Sequence, residues 1–191
     1  MADADLLPFQ FADQADTIHT YLGELKTLLN NKRDEVKERN KEIDEGVYQA
    51  LNDPKKHTVP PPVEPIPPYL NFAPLDQASD DLTTAAKEFD EAFAAAAGNA
   101  PADVNLALIQ SERTLTNADG LPHRPWFQNL IYAPGFYTGY GVKTIPGVRE
   151  AIEQKDWKEA DAQIVKVAAA LESEAELLKQ AKAKLPQSAA R

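Results

Sequence analysis

Apolar residues recur along most of this chain at intervals of three, four and seven, the spacing of one helical face. Leu22, Leu29, Val36, Ile43 and Ala50 form one seven-residue row, supported by Ile18 and Leu25 early and Val47 late. This predicts a first helix starting near Asp13, placed as N-cap, and stopping at Asn52-Asp53-Pro54. From Asn30 to Glu42 the only aliphatic residue is Val36, so that stretch reads as a helix exposed on most sides that projects from the body. Leu75, Leu82 and Phe89, with Ala78, Ala85 and Phe93 beside them, predict a second helix over 76–97. Val104, Leu108 and Leu115 predict a third, ending before Asp119-Gly120. The last pattern opens at Pro146, a favourable first helical residue, and repeats Trp157, Ile164, Leu171, Leu178 and Leu185. Ala168, Ala175 and Ala181 lie alongside, small enough for a neighbouring helix to approach closely. No strand pattern matches these in strength. The expectation is an all-α fold, a four-helix bundle in one domain spanning 1–191.

Two connectors interrupt the helices. Residues 53–72 hold a proline run that fixes φ and removes donors, so this linker reads as extended and polyproline-like. A stiff connector is one reading and a ligand for a proline-reading domain the other. Residues 117–147 contain five of the eight glycines, four prolines and Trp126, Phe127, Tyr132, Phe136, Tyr137 and Tyr140. Such a mixture predicts an ordered, packed loop before the last helix, the kind that often carries function. Residues 1–12 read as a lead-in, and Met1 to Asp5 lacks the basic and apolar regions of a signal peptide.

Composition narrows the chemistry. The 191 residues suffice for a core without cross-links, and the absence of cysteine excludes a thiol nucleophile, a zinc ribbon and an iron–sulfur cluster. A formal charge of −10 disfavours nucleic acid and anionic lipid as partners, and no run is apolar for long enough to span a bilayer. His19, His57 and His123 are far apart and outside any HxxxH or HExxH pattern, and no Glu-x-x-His pair offers a bundle metal site. Glu172, Glu174 and Glu176 read as a solvated face. Ser111 sits in a helical stretch with no G-x-S-x-G, and the loop glycines lack the spacing of a phosphate loop. By this reading the chain has no catalytic apparatus, no metal site and no cofactor of its own.

The loop carries the most specific signal. Gly120-Leu121-Pro122, Arg124-Pro125-Trp126-Phe127, Ile131-Tyr132-Ala133-Pro134, Tyr140 and Ile145-Pro146-Gly147 follow one another in an order and spacing that resembles the dimerisation domain of the transferrin receptor and glutamate carboxypeptidase II family. Leu7-Pro8-Phe9 is similar to the segment where such enzymes leave their protease domain, and Gln163 to Ala175 is similar to the family's last helix. The resemblance covers nearly the whole chain and is weakest over residues 30–70. It implies a helical homodimer that follows an M28-type protease domain holding two zinc ions, in an extracytoplasmic parent. That protease domain of the same parent chain would then be its second partner. It also implies that the loop reaches the active site, where a Lys-Tyr pair holds the carboxylates of a terminal glutamate. The tyrosine corresponds to Tyr140, but the lysine position is Gly139, so a preference for glutamate does not carry over; Lys143 is the nearest alternative cation in sequence. Arg124 reads as a structural residue that satisfies loop carbonyls, Trp126 and Tyr132 read as packing of the loop on the bundle, and Pro134 reads as a structural residue of the loop. Trp157, Ile164, Leu171 and Leu178 form either the bundle core or the dimer seam. A free-standing receptor-type or protein-binding module is the alternative from a different functional class.

Overall fold

In the computed structural model, residues 9–50, 59–96 and 101–186 are described. They hold six helices: α1 (Phe11–Asp44), α2 (Val47–Ala50), α3 (Ala73–Ala95), α4 (Ala102–Thr114), α5 (Pro146–Glu153) and α6 (Trp157–Ala183). The fold is all-α, and the described residues add to the helices a two-stranded antiparallel hairpin of β1 (Tyr132–Pro134) and β2 (Val142–Thr144). At three residues each, these strands are too short for alternation to be legible in sequence.

α6 runs against α3, which packs on α1, while α4 and α5 lie against α6. Leu75, Ala78, Leu82, Ala85, Ala86 and Phe89 form the buried face of α3, at the predicted helical spacing. Buried alanines on both α3 and α6 keep side-chain bulk out of their contact. Ile164, Leu171 and Leu178 are fully buried within one copy of the chain, and Trp157 is half-buried against the same core. Ile164, Leu171 and Leu178 are therefore core residues of a single copy, while half-buried Trp157 stands at the edge of that core.

Each helix end has its own cause. α1 begins at Phe11 rather than at Asp13, and its N-terminal donors are capped from another helix. The Asp90 carboxylate of α3 accepts from the N–H groups of Ala12 (2.8 Å) and Phe11 (3.2 Å). Losing such a cap costs about 1 kcal/mol. Asp90→Ala should therefore lower the urea midpoint by roughly 0.5 M, that energy divided by a slope of about 2 kcal/mol/M, without changing the slope; an unchanged midpoint would show that water caps α1 equally well. At its other end α1 stops at Glu45-Gly46, where Gly46 adopts φ +75, earlier than the expected stop. Ile43 and Val47 are only half-buried and Ala50 is exposed, so the seven-residue row leaves the core after Val36. Asn52-Asp53-Pro54 and Ala97 lie outside the described residues.

The last helical pattern is two helices. Lys155 takes φ +62 between α5 and α6, and the Asp156 carboxylate accepts from the Glu159 N–H at 3.0 Å to start α6. The sequence Asp156-x-x-Glu159 is a start signal that the continuous apolar spacing concealed.

The polar part of α1 does not project freely. Residues 59–72 have no regular element, and part of this segment lies along α1. Proline has no N–H, so such a segment cannot join a ladder and needs its carbonyls satisfied by side chains. Arg33, which is buried, donates to the Pro67 carbonyl and stacks 3.6 Å from the Tyr69 ring centroid. Asn40 donates to the Glu64 carbonyl at 2.7 Å and accepts from the Glu64 N–H at 3.0 Å. The Glu64 carboxylate bridges Lys155 (2.5 Å) and Arg39 (2.6 Å); chiefly the Lys155 hydrogen bond holds its carboxyl below the usual range. Arg33 meets residues 67–69 and Asn40 meets residue 64, so the two segments run antiparallel. The spacing matches as well: seven helical residues rise about 10.5 Å and three polyproline residues about 9.3 Å. The charges in this part of α1 thus serve as partners for a strap.

Candidate functional site

Residues 115–145 form a ladder of turns. Leu130 N–H bonds Leu115 O, Asn117 N–H bonds Gln128 O and Leu121 N–H bonds Phe127 O, at 2.8–3.0 Å. Gly120 sits at φ +69, and a Cβ there would lie 2.2 Å from the Pro125 carbonyl oxygen. Both the left-handed backbone and the closeness of the next turn require glycine. Ile145, fully buried, occupies φ +44, an unusual conformation for a β-branched residue. Its N–H bonds the Ile131 carbonyl at 2.6 Å, fixing where the loop turns into α5. A Cβ on Gly147 would lie 2.4 Å from the Gln163 side-chain oxygen, so a larger residue where α5 meets α6 would require that buried side chain to move.

Arg124 holds this arrangement together. It is 2% exposed. One guanidinium nitrogen bonds Glu150 of α5 at 2.5 Å, another donates to the Pro134 carbonyl, and the group lies 5.6 and 5.9 Å from the ring centroids of Phe127 and Phe136. The second Glu150 oxygen accepts from the Phe136 N–H at 2.8 Å. One ion pair therefore joins the 120–127 turn, the end of β1 and α5. Its carboxylate partner stands 26 residues away, so nothing in the spacing marked Glu150.

β1 and β2 project a tip at residues 135–141, closed by Gly135 N–H to the Gly141 carbonyl at 2.8 Å. Tyr140 is fully exposed at this tip. Gly139 has φ +60 and open space around it. Lys143 lies in β2 and pairs with Glu153 of α5 at 2.6 Å, so its charge is already engaged. Tyr137 and Val142 are exposed beside Tyr140. Tyr132 ties the hairpin to α4: its hydroxyl donates to Glu112 at 3.1 Å, and that carboxylate raises the phenol's pKa. Trp126 is 71% exposed and makes an aromatic contact with Phe127 at 6.2 Å; it lies on the surface instead of packing the loop on the bundle. Pro134 supplies the carbonyl that Arg124 binds.

The acidic row on α6 is divided. Glu172 and Glu176 are exposed, but Glu174 is 1% exposed, because 171, 174, 175 and 178 share the core face. It accepts from the Thr114 hydroxyl of α4, its other oxygen has no partner, and burial pushes its carboxyl up to about 7. Among the described residues no group of three or more His, Cys, Asp or Glu side chains is arranged to hold a metal ion. No helix among them is long and apolar enough to cross a membrane.

Residues 70–179 match the model of the transferrin receptor-like dimerisation domain, more than half of the chain. The chain belongs to that family. A protein of Arabidopsis thaliana described as probable glutamate carboxypeptidase LAMP1 is 35% identical over 118 residues, covering 58% of this chain and 17% of the plant protein. A probable glutamate carboxypeptidase of Arthroderma benhamiae is 42% identical over 41 residues, 22% of this chain and 6% of the fungal one. The matches thus span a small part of those relatives' own length.

Proposed function

We propose that this chain is the homodimerising domain of a glutamate carboxypeptidase-like, M28-type zinc peptidase, and that its 135–141 tip forms one wall of the parent's substrate pocket. The chain itself does no catalysis in this reading; the zinc ions and the reacting groups belong to the protease domain. The observation that carries it is the exposed Tyr140 on a hairpin that Arg124 and Glu150 hold in place. A tyrosine hydroxyl presented this way can hydrogen-bond a substrate carboxylate. Gly139 offers no cation, and Lys143 is committed to Glu153, so a neutral side chain at the substrate's C-terminal residue fits this wall better than glutamate.

In the full-length parent, Tyr140→Phe should raise KM for a dipeptide substrate several-fold with little change in kcat, because the lost contact is made equally in ground and transition states. An unchanged KM removes the tip from the pocket. Sedimentation of the 191-residue chain should show a dimer, and a strict monomer at high micromolar concentration would count against self-association by this domain.

A further inference from the structure

The strap along α1 has a second face. Residues 61, 64, 67 and 70 are half-buried or buried, while Pro62, Val63, Pro65, Ile66, Pro68 and Tyr69 between them are all exposed. A three-residue period of burial is that of a polyproline II helix lying on a surface. It leaves two outward ridges, one of Pro62, Pro65 and Pro68 and the other of Val63, Ile66 and Tyr69. These six residues carry no charge, since Glu64 points inward to Arg39 and Lys155. No hydrogen bond within the described residues uses the carbonyls of Pro62, Val63, Pro65 or Ile66.

We propose that this outward face is a preformed ligand for a partner domain whose groove is lined with aromatic side chains. Five of the nine residues from 61 to 69 are proline, so the donors needed to add a strand to a sheet edge are missing. Recognition falls to side-chain ridges and free carbonyl acceptors, which aromatic grooves read through ring faces and Trp or Tyr donors. Arg33 and Asn40 pin the inner side, so the ridges are ordered before a partner arrives and less conformational entropy is lost on binding. The strip also ends where the family match begins, at residue 70, so it lies outside the part shared with the dimerisation domains.

The test titrates the intact chain into isotope-labelled SH3, WW and EVH1 domains and follows their groove resonances. Binding by one of these classes in the micromolar range is expected. The Val63→Asp, Ile66→Asp double variant should weaken it roughly tenfold or more, since two apolar contacts are lost. Its urea midpoint should stay unchanged, because both side chains face outward. No shifts with any of the three classes at about 1 mM chain overturn the proposal. So does binding that the double variant leaves intact. Loss of the chain's own self-association in that variant would assign the strip to a seam between copies and overturn it too.

Discussion

Arg124→Met is expected to destabilise the chain by about 3–5 kcal/mol, the range for removing one member of a buried ion pair. The substitution keeps much of the side chain's apolar length, so the loss comes mainly from charge and hydrogen bonding. Glu150 would remain buried on α5 with only the Phe136 N–H as partner, and the Pro134 carbonyl would lose its donor. Arg124→Lys should not rescue, because a single ammonium cannot match the fork that reaches two acceptors and stands near two rings. Adding Glu150→Gln to Arg124→Met should recover a substantial part of the loss, since the stranded charge is gone while an acceptor for Phe136 remains. Urea unfolding of the four proteins measures this. A loss below about 1 kcal/mol would mean that the loop finds another arrangement, because buried pairs of this kind cost several times that when broken.

Glu174→Gln should stabilise the chain above neutral pH and cost it about 1 kcal/mol in acid, where the carboxyl is already neutral and only the added amide donor counts. In the folded chain the Glu174 carboxyl is raised by burial from its ordinary 4.5 to about 7. The folded state therefore binds the proton more tightly than the unfolded one. Below pH 4.5 both states are protonated and no penalty arises. Between 4.5 and about 7 stability falls as pH rises, and above that the full penalty of a buried carboxylate is present, about 3 kcal/mol. A glutamine can still accept from Thr114, but its amide leaves a donor near the site where one Glu174 oxygen already lacks a partner. The expected gain at pH 8 is therefore about 2 kcal/mol. Urea midpoints of both proteins at pH 5 and pH 8 test this. The difference between the two proteins matters, since Glu64, with its lowered value, affects stability only at more acid pH and with opposite sign. Equal pH profiles for the two proteins would mean that Glu174 reaches water when ionised.

Both effects rest on pairs that linear spacing does not announce. Arg124 was legible as a structural residue within its loop block, yet its partner lies on a helix that begins after the hairpin. Glu174 sits among acidic neighbours, where composition suggests solvent, although its helical spacing from Leu171, Ala175 and Leu178 already sets it on their buried face; what the spacing does not announce is its partner, Thr114 of α4. Arg33 and Asn40 look like surface charge and polarity until a segment without amide donors is laid beside them. Asp90 caps a helix 79 residues earlier in the chain.

Sequence alone determined the helical class, the buried rows of α3 and α6, the ordered loop and the family of the chain. The first three follow because apolar spacing and turn chemistry act over one or two turns and are written directly in residue order; the family came from the resemblance of the ordered blocks between Gly120 and Gly147. Tertiary structure decided that Ile164, Leu171 and Leu178 are core within one copy, that the final helical pattern is broken at Lys155, and that Glu174 meets Thr114. It also decided that the proline segment lies along α1 and that Lys143 is spent on Glu153. Each of these is a contact between residues distant in sequence, or a backbone turn whose cost is offset by such contacts. Burial and charge pairing depend on what stands opposite a side chain, and only the packed chain supplies that.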